Sequence, residues 1–218
     1  MSGYQAVIFD MDGVLVDSEP LFFKAINNLL LKESAEAVAD AEYQAELIGT
    51  TVEETWRRLI EMRELPDSLQ SYLGKYDMAV KEVLQAELTP RPGVRRLIEA
   101  CSRRNLLKAV ASSSLRSWVS LKLETLGFQD SFEVVLGGDD VTRGKPEPDI
   151  YLLAAEKLKI PPAQCLAIED SPVGIAAAVS AGIYTVAVLT DSTRGMDLSQ
   201  AQQVLETLES FDLNLLRT

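Results

Sequence analysis

The run Val7-Ile8-Phe9-Asp10-Met11-Asp12-Gly13 constrains this chain more than any other stretch. Its β-branched and aromatic opening reads as a buried strand. It stops abruptly in two carboxylates two positions apart, followed by a glycine turn. In extended backbone, residues i and i+2 point to the same side, so strand geometry continued past Phe9 brings Asp10 and Asp12 together beyond the strand's carboxyl end. Crowded like charges resist ionising, so such a pair calls for a cation, a shared proton or full solvation. A plain Asp-Gly turn is the simpler alternative. A calcium loop of the EF-hand type does not fit, because Leu15 occupies its glycine position and Leu21 its bidentate-glutamate position.

From Thr89-Pro90-Arg91-Pro92-Gly93 onward the pattern alternates. Helical stretches at 94–104, 115–126, 149–158, 172–181 and 198–208 separate strand-like runs at 107–111, 132–136, 165–168 and 184–189. Gly127 closes one helix; Ser171 can cap another, with Pro172 in its first turn and Gly182 past its end. Such alternation predicts an α/β fold with a Rossmann-like parallel sheet. Between the first strand and this region the character differs. Helical patterns at 21–31, 37–47, 52–62 and 69–88 are broken at Gly49-Thr50-Thr51 and Leu65-Pro66-Asp67, with no convincing strand. The expected organisation is therefore a core of residues 1–16 and 89–218 with an inserted α-helical domain of residues 17–88. Ligands of open parallel sheets bind outside the carboxyl ends of the strands. Those ends carry Asp10 and Asp12, then Ser112, then Lys145 in the following loop, then Glu169 and Asp170.

Composition narrows the chemistry. The net charge of −12 repels phosphate backbones and anionic lipid surfaces, which argues against nucleic-acid or membrane partners. Histidine is absent, which removes Ser-His-Asp and Cys-His catalysis and most zinc sites. Cys101 and Cys165 lie far apart without a CxxC spacing and read as buried thiols. The first apolar run is too short for a signal peptide, so a cytoplasmic location is expected. Carboxylates, hydroxyls, lysine and a hard metal ion remain. Each candidate alone has a simple reading: a capping cluster for Ser112, Ser113 and Ser114, a solvated loop for Lys145, and a helix-start acid pair for Glu169 and Asp170. Lys145 is unusual in that Gly144, Pro146 and Pro148 constrain where it emerges. The simple readings require four separate coincidences at the ends of successive strands.

Asp10-Met11-Asp12-Gly13-Val14, Ser112 after an apolar strand, Lys145 before Pro146, and Ile168-Glu169-Asp170-Ser171 resemble, in order, the four motifs of the haloacid dehalogenase superfamily of phosphatases. The resemblance spans the chain, and the helical insert is similar to the cap of the β-phosphoglucomutase and sugar-phosphate phosphatase branch. It implies Asp10 as nucleophile and Asp12 as general acid and base, with Ser112 and Lys145 holding phosphate oxygens and Ser113 beside them. It also implies a Mg2+ ion held by Asp10, Asp12 through its carbonyl, Asp170 and Glu169. A cap of this kind closes over the crevice, and a cis Lys145–Pro146 bond would aim the lysine.

Lys75 falls near the place of a substrate-contacting lysine in relatives, although a solvated helix lysine is the simpler reading. Where mutases of this branch carry a cap histidine the chain has Phe22, and where they carry an arginine for a second phosphate it has Val52 or Glu53. These losses favour a phosphatase acting on a small phosphorylated metabolite such as a sugar phosphate, over a phosphosugar mutase. A receiver-type signalling module also uses a phosphorylated aspartate, a metal, a hydroxyl and a lysine. That module places its acid pair on another strand and has no helical insert. An enzyme of this size is expected to work as a monomer.

Overall fold

The computed structural model describes residues 3–47 and 50–216, so the break expected at Gly49 lies outside the described residues. The chain divides into two units, Met1–Asp17 with Thr89–Thr218, and Ser18–Leu88. In the first, β1 (Ala6–Phe9), β2 (Leu107–Ala111), β3 (Val134–Leu136), β4 (Cys165–Glu169), β5 (Tyr184–Val188) and β6 (Gln203–Leu205) form one sheet in the order β3-β2-β1-β4-β5-β6. All of its pairings are parallel, as in Rossmann-like α/β proteins.

Every residue of β1 and β4 is buried, which is why β1, and β4 up to Ile168, are continuous apolar runs rather than alternating ones. Side chains such as Ile8 and Phe9 contribute about 1.5–3 kcal/mol each by leaving water. Register then sets the site. Phe9 lies opposite Val110 of β2 and Ile168 of β4, so these three strands end within one residue of one another.

The other unit is helical: α1 (Glu19–Lys32), a short α2 (Asp40–Glu42), α3 (Val52–Met62) and α4 (Leu69–Glu87). Thr51 caps α3 by accepting from the Glu54 N–H, and Ser68 caps α4 by accepting from Ser71. Trp56 is fully buried and stacks on Tyr72 at 5.5 Å between ring centroids. The first unit also contains α5 (Val94–Arg103), α6 (Arg116–Leu126), α7 (Asp149–Leu158) and α8 (Pro172–Ser180). Both cysteines are buried, and no described helix is long and apolar enough to cross a membrane.

Two helical expectations are corrected. The pattern at 37–47 starts its helix only at Asp40 and widens into a π-turn at Tyr43–Leu47. The Asn27 amide accepts from the Val38 N–H and donates to its carbonyl, holding Val38 out of the helix. The stretch 198–208 forms β6 and a 3₁₀ turn at Leu208–Ser210 instead of a helix. Its apolar positions also suit an edge strand, with Val204 exposed and Leu205 buried, and it satisfies backbone groups of β5.

Candidate active site

Strand β1 ends at Phe9, and the chain turns at once. The Gly13 N–H donates to the Val16 carbonyl at 2.7 Å, and the Leu15 and Val16 N–H groups both donate to the Met11 carbonyl. Gly13 has φ +88°, and a Cβ there would overlap the Asp170 carboxylate, so this turn requires glycine on both counts. Arg91 braces it by donating to the Gly13 carbonyl and, at 2.9 Å, to the Leu189 carbonyl beyond β5.

The level strand ends bring three acids together. Carboxylate oxygens of Asp10, Glu169 and Asp170 lie within 4.8 Å of one another, all three side chains buried. Lys145 is the cation among them, with its Nζ 2.6 Å from Asp10 and 2.5 Å from Glu169. The Lys145–Pro146 peptide is cis. Tyr151 of α7 donates its hydroxyl to Glu169 Oε1 at 2.6 Å, while Glu169 Oε2 accepts from the Asp170 N–H and from Ser171.

Three carboxylates face one ammonium, so negative charge is in excess in a buried place. Burial raises the Asp10 pKa well above the carboxylate range; Lys145 opposes this, and Glu169, Asp170 and Asp12 add to it. Burial and Glu169 push Asp170 up to about 7. Burial alone would lower the Lys145 pKa, yet Asp10 and Glu169 outweigh it and raise the value. An all-oxygen cluster with surplus negative charge suits a hard divalent cation such as Mg2+.

Asp12 takes different partners. Alternation along an extended strand would aim both carboxylates to one side, but the strand stops at Phe9. Asp12 Oδ1 meets Lys122 of α6, and Oδ2 accepts from the Ser114 hydroxyl at 2.8 Å. Asp12 remains close enough for its charge to raise Asp10.

Ser112 is buried at the end of β2, its N–H donating to the Leu136 carbonyl and its Oγ accepting from the Ser114 N–H. Ser113 lies where its carbonyl would meet a Cβ at Gly138, and Asp139 accepts from the Arg116 N–H, so the 137–140 turn pins the start of α6. Lys75, on α4, gives its ammonium to Glu33 at 2.6 Å and Asp67 at 2.8 Å within the helical unit. Those two hydrogen bonds raise its pKa. Sequence reasoning passed over Lys122, Tyr151 and Arg91, and saw Ser114 only as part of a capping cluster, not as a donor to Asp12. Of the three passed over, Lys122 left a signal, as a charged residue in step with the apolar stripe of Val119, Leu123 and Leu126.

Comparisons with known proteins show what the chain is similar to. Residues 7–188 match the family described as haloacid dehalogenase-like hydrolases. A Thermotoga maritima protein named phosphorylated carbohydrates phosphatase is 34% identical over 98% of each chain. A Bacillus subtilis β-phosphoglucomutase is 30% identical over 97% of this chain and 93% of its own. The crystal structure of CbbY from Rhodobacter sphaeroides in complex with phosphate superposes with a TM-score of 0.83 at 26% identity, covering 98% of this chain and 99% of its own.

Proposed function

The chain belongs to the haloacid dehalogenase-like hydrolases, and from that membership we propose that it is a phosphatase acting on a phosphorylated carbohydrate, with Mg2+ and through a phosphorylated Asp10. The observation that carries the reading is the meeting of Asp10 with Lys145, Glu169 and Asp170 at the carboxyl ends of neighbouring strands. The named activity of the Thermotoga maritima relative supports the substrate class.

In this reading an Asp10 oxygen attacks phosphorus as the bond to the sugar oxygen breaks, and Asp12 gives that oxygen its proton. Asp12 then takes a proton from the water that attacks the aspartyl phosphate, releasing inorganic phosphate and Asp10. Ser112 accepts from the Ser114 N–H and so keeps its own proton for a phosphate oxygen. Lys145 offsets charge where an anionic nucleophile approaches an anionic substrate. Mg2+, when bound, supplies further positive charge to the same approach. Asp10, Asp170 and the Asp12 carbonyl would hold it. Glu169, whose oxygens already receive Lys145, Tyr151, Ser171 and a backbone N–H, holds Lys145 in place and reaches a metal only as an outer ligand. Ser113 contributes backbone beside Ser112, and Lys75 serves the helical unit through its two acids.

A panel of phosphorylated metabolites, assayed for phosphate release with Mg2+ and with chelator, tests the proposal. Hexose and pentose monophosphates should release phosphate only with the metal. Isomerisation of β-glucose 1-phosphate without phosphate release would replace it with the mutase reading.

The raised carboxylates also predict how metal and pH act together. An acid whose folded pKa exceeds its unfolded value lends stability that is complete below the unfolded pKa, here 3.8, and is lost as pH rises through the folded pKa, about 7 for Asp170. Metal-free protein should therefore lose stability between those values. Mg2+ competes with the protons it displaces, so its effect should grow across the same window. Thermal unfolding should show a Mg2+-induced rise of several degrees at about pH 8 and little at about pH 5. An equal rise at both values contradicts this.

A further inference from the structure

The side chain of Lys122 has no exposed surface, although it carries an ammonium group. Burying such a charge is costly unless an anionic partner meets it. The partner is Asp12, separated from it by 110 residues. Ser114 donates to the other oxygen of the same carboxylate. Asp12 itself keeps about a third of its side chain open, so this carboxylate is held from within while one aspect stays accessible.

We propose that Lys122, together with Ser114, is a positioning residue that fixes the Asp12 carboxylate for proton transfer at the departing oxygen. The proposal rests on the phosphatase reading above. A carboxylate offers about four lone-pair directions. With a hydrogen-bond donor on each oxygen, rotation about the Cβ–Cγ bond is stopped and the exposed aspect of the carboxylate is aimed. The donors themselves stand on firm ground. Asp139 accepts from the Arg116 N–H at the start of α6, and Gly137 packs against the Arg116 backbone so closely that a Cβ would overlap it. A helix anchored in this way carries Lys122 to Asp12 at a set height, which is how a supporting residue makes a proton carrier accurate. A buried pair that only stabilised the fold would not require the second donor or the open aspect.

Two aryl phosphates of similar shape separate positioning from stability. p-Nitrophenyl phosphate expels a stable anion that needs no proton, whereas phenyl phosphate depends on one. Lys122→Met should lower kcat/KM on phenyl phosphate by about 30-fold or more and on p-nitrophenyl phosphate by less than about 3-fold, in line with the contribution of general acids. Lys122→Arg should recover part of the loss. Asp12→Asn should show the same contrast, and adding Lys122→Met to it should cost little more, because the two act as one unit. Equal losses on both substrates, or losses that multiply in the double variant, overturn the assignment. Should Lys122→Met fail to fold, Ser114→Ala carries the same comparison with the buried ion pair intact. Wild-type turnover of p-nitrophenyl phosphate with Mg2+ tests the phosphatase reading separately. An inert wild type overturns that reading and this inference with it, whereas an active wild type with equal losses overturns this inference alone.

Discussion

Asp10→Asn should abolish turnover and leave the fold in place. The amide has the shape of the carboxylate but cannot attack phosphorus to form an acyl phosphate, so phosphate release should drop by about ten-thousand-fold or more. The same change removes one negative charge from a buried cluster of three acids and one lysine. Lys145 keeps Glu169 as its partner at 2.5 Å, so no buried ammonium is stranded. The unfolding temperature of metal-free protein should therefore stay the same or rise, while the gain from Mg2+ should shrink because one ligand has lost its charge. Circular dichroism, thermal scans with and without Mg2+, and a phosphate-release assay check the three parts. Substantial activity in this variant removes Asp10 from the role of nucleophile, whatever else holds.

Lys145→Met is the second large effect, and here activity and stability fall together. The side chain is almost fully buried and its ammonium touches two carboxylates, so its loss leaves Asp10 and Glu169 facing each other and Asp170 with Arg91 as its remaining favourable charge. Removing one partner of a buried ionic cluster costs about 3–5 kcal/mol. On the role proposed for Lys145, its loss should lower kcat/KM by about a hundredfold or more. The instability should depend on pH with a defined sign. Acids whose folded pKa values are already raised rise further without the lysine, so they take up protons and relieve the repulsion as pH falls. Urea unfolding should show the variant far below wild type at about pH 8 and closer to it at about pH 5, and wild-type stability at the higher pH would contradict the account.

The core elements were legible because their signals are local. The unbroken apolar runs of β1 and β4 mark strands buried on both faces, and the acids that follow mark where the strands end. Level register then makes the strand ends converge, so Asp10, Lys145, Glu169 and Asp170 could be grouped before any distance was known.

What escaped was non-local. β6 exists because β5 presents an edge to pair with, a fact about another segment that helical spacing at 198–208 does not contain. The late start of α2 depends on Asn27, 11 residues before Val38 and inside another helix. The partners of Asp12 were missed because a short polar turn, not an extended strand, follows Phe9, and Lys122 and Ser114 approach it from more than 100 residues away. Tyr151 reads as one more aromatic on the buried face of α7, and only the fold shows its hydroxyl on Glu169.

Two places in the centre admit nothing larger than hydrogen. At Gly13 an added methyl group would strike Asp170, and at Gly174 it would strike Glu169. Both collisions are with carboxylates of the buried acidic cluster, so any heavier residue displaces that cluster itself and not merely the packing around it. Redesign toward new substrates is thereby steered elsewhere. The neighbouring Val173 is half exposed and open to variation, while the two hydrogens beside the acids form a fixed boundary within which any altered specificity must be built.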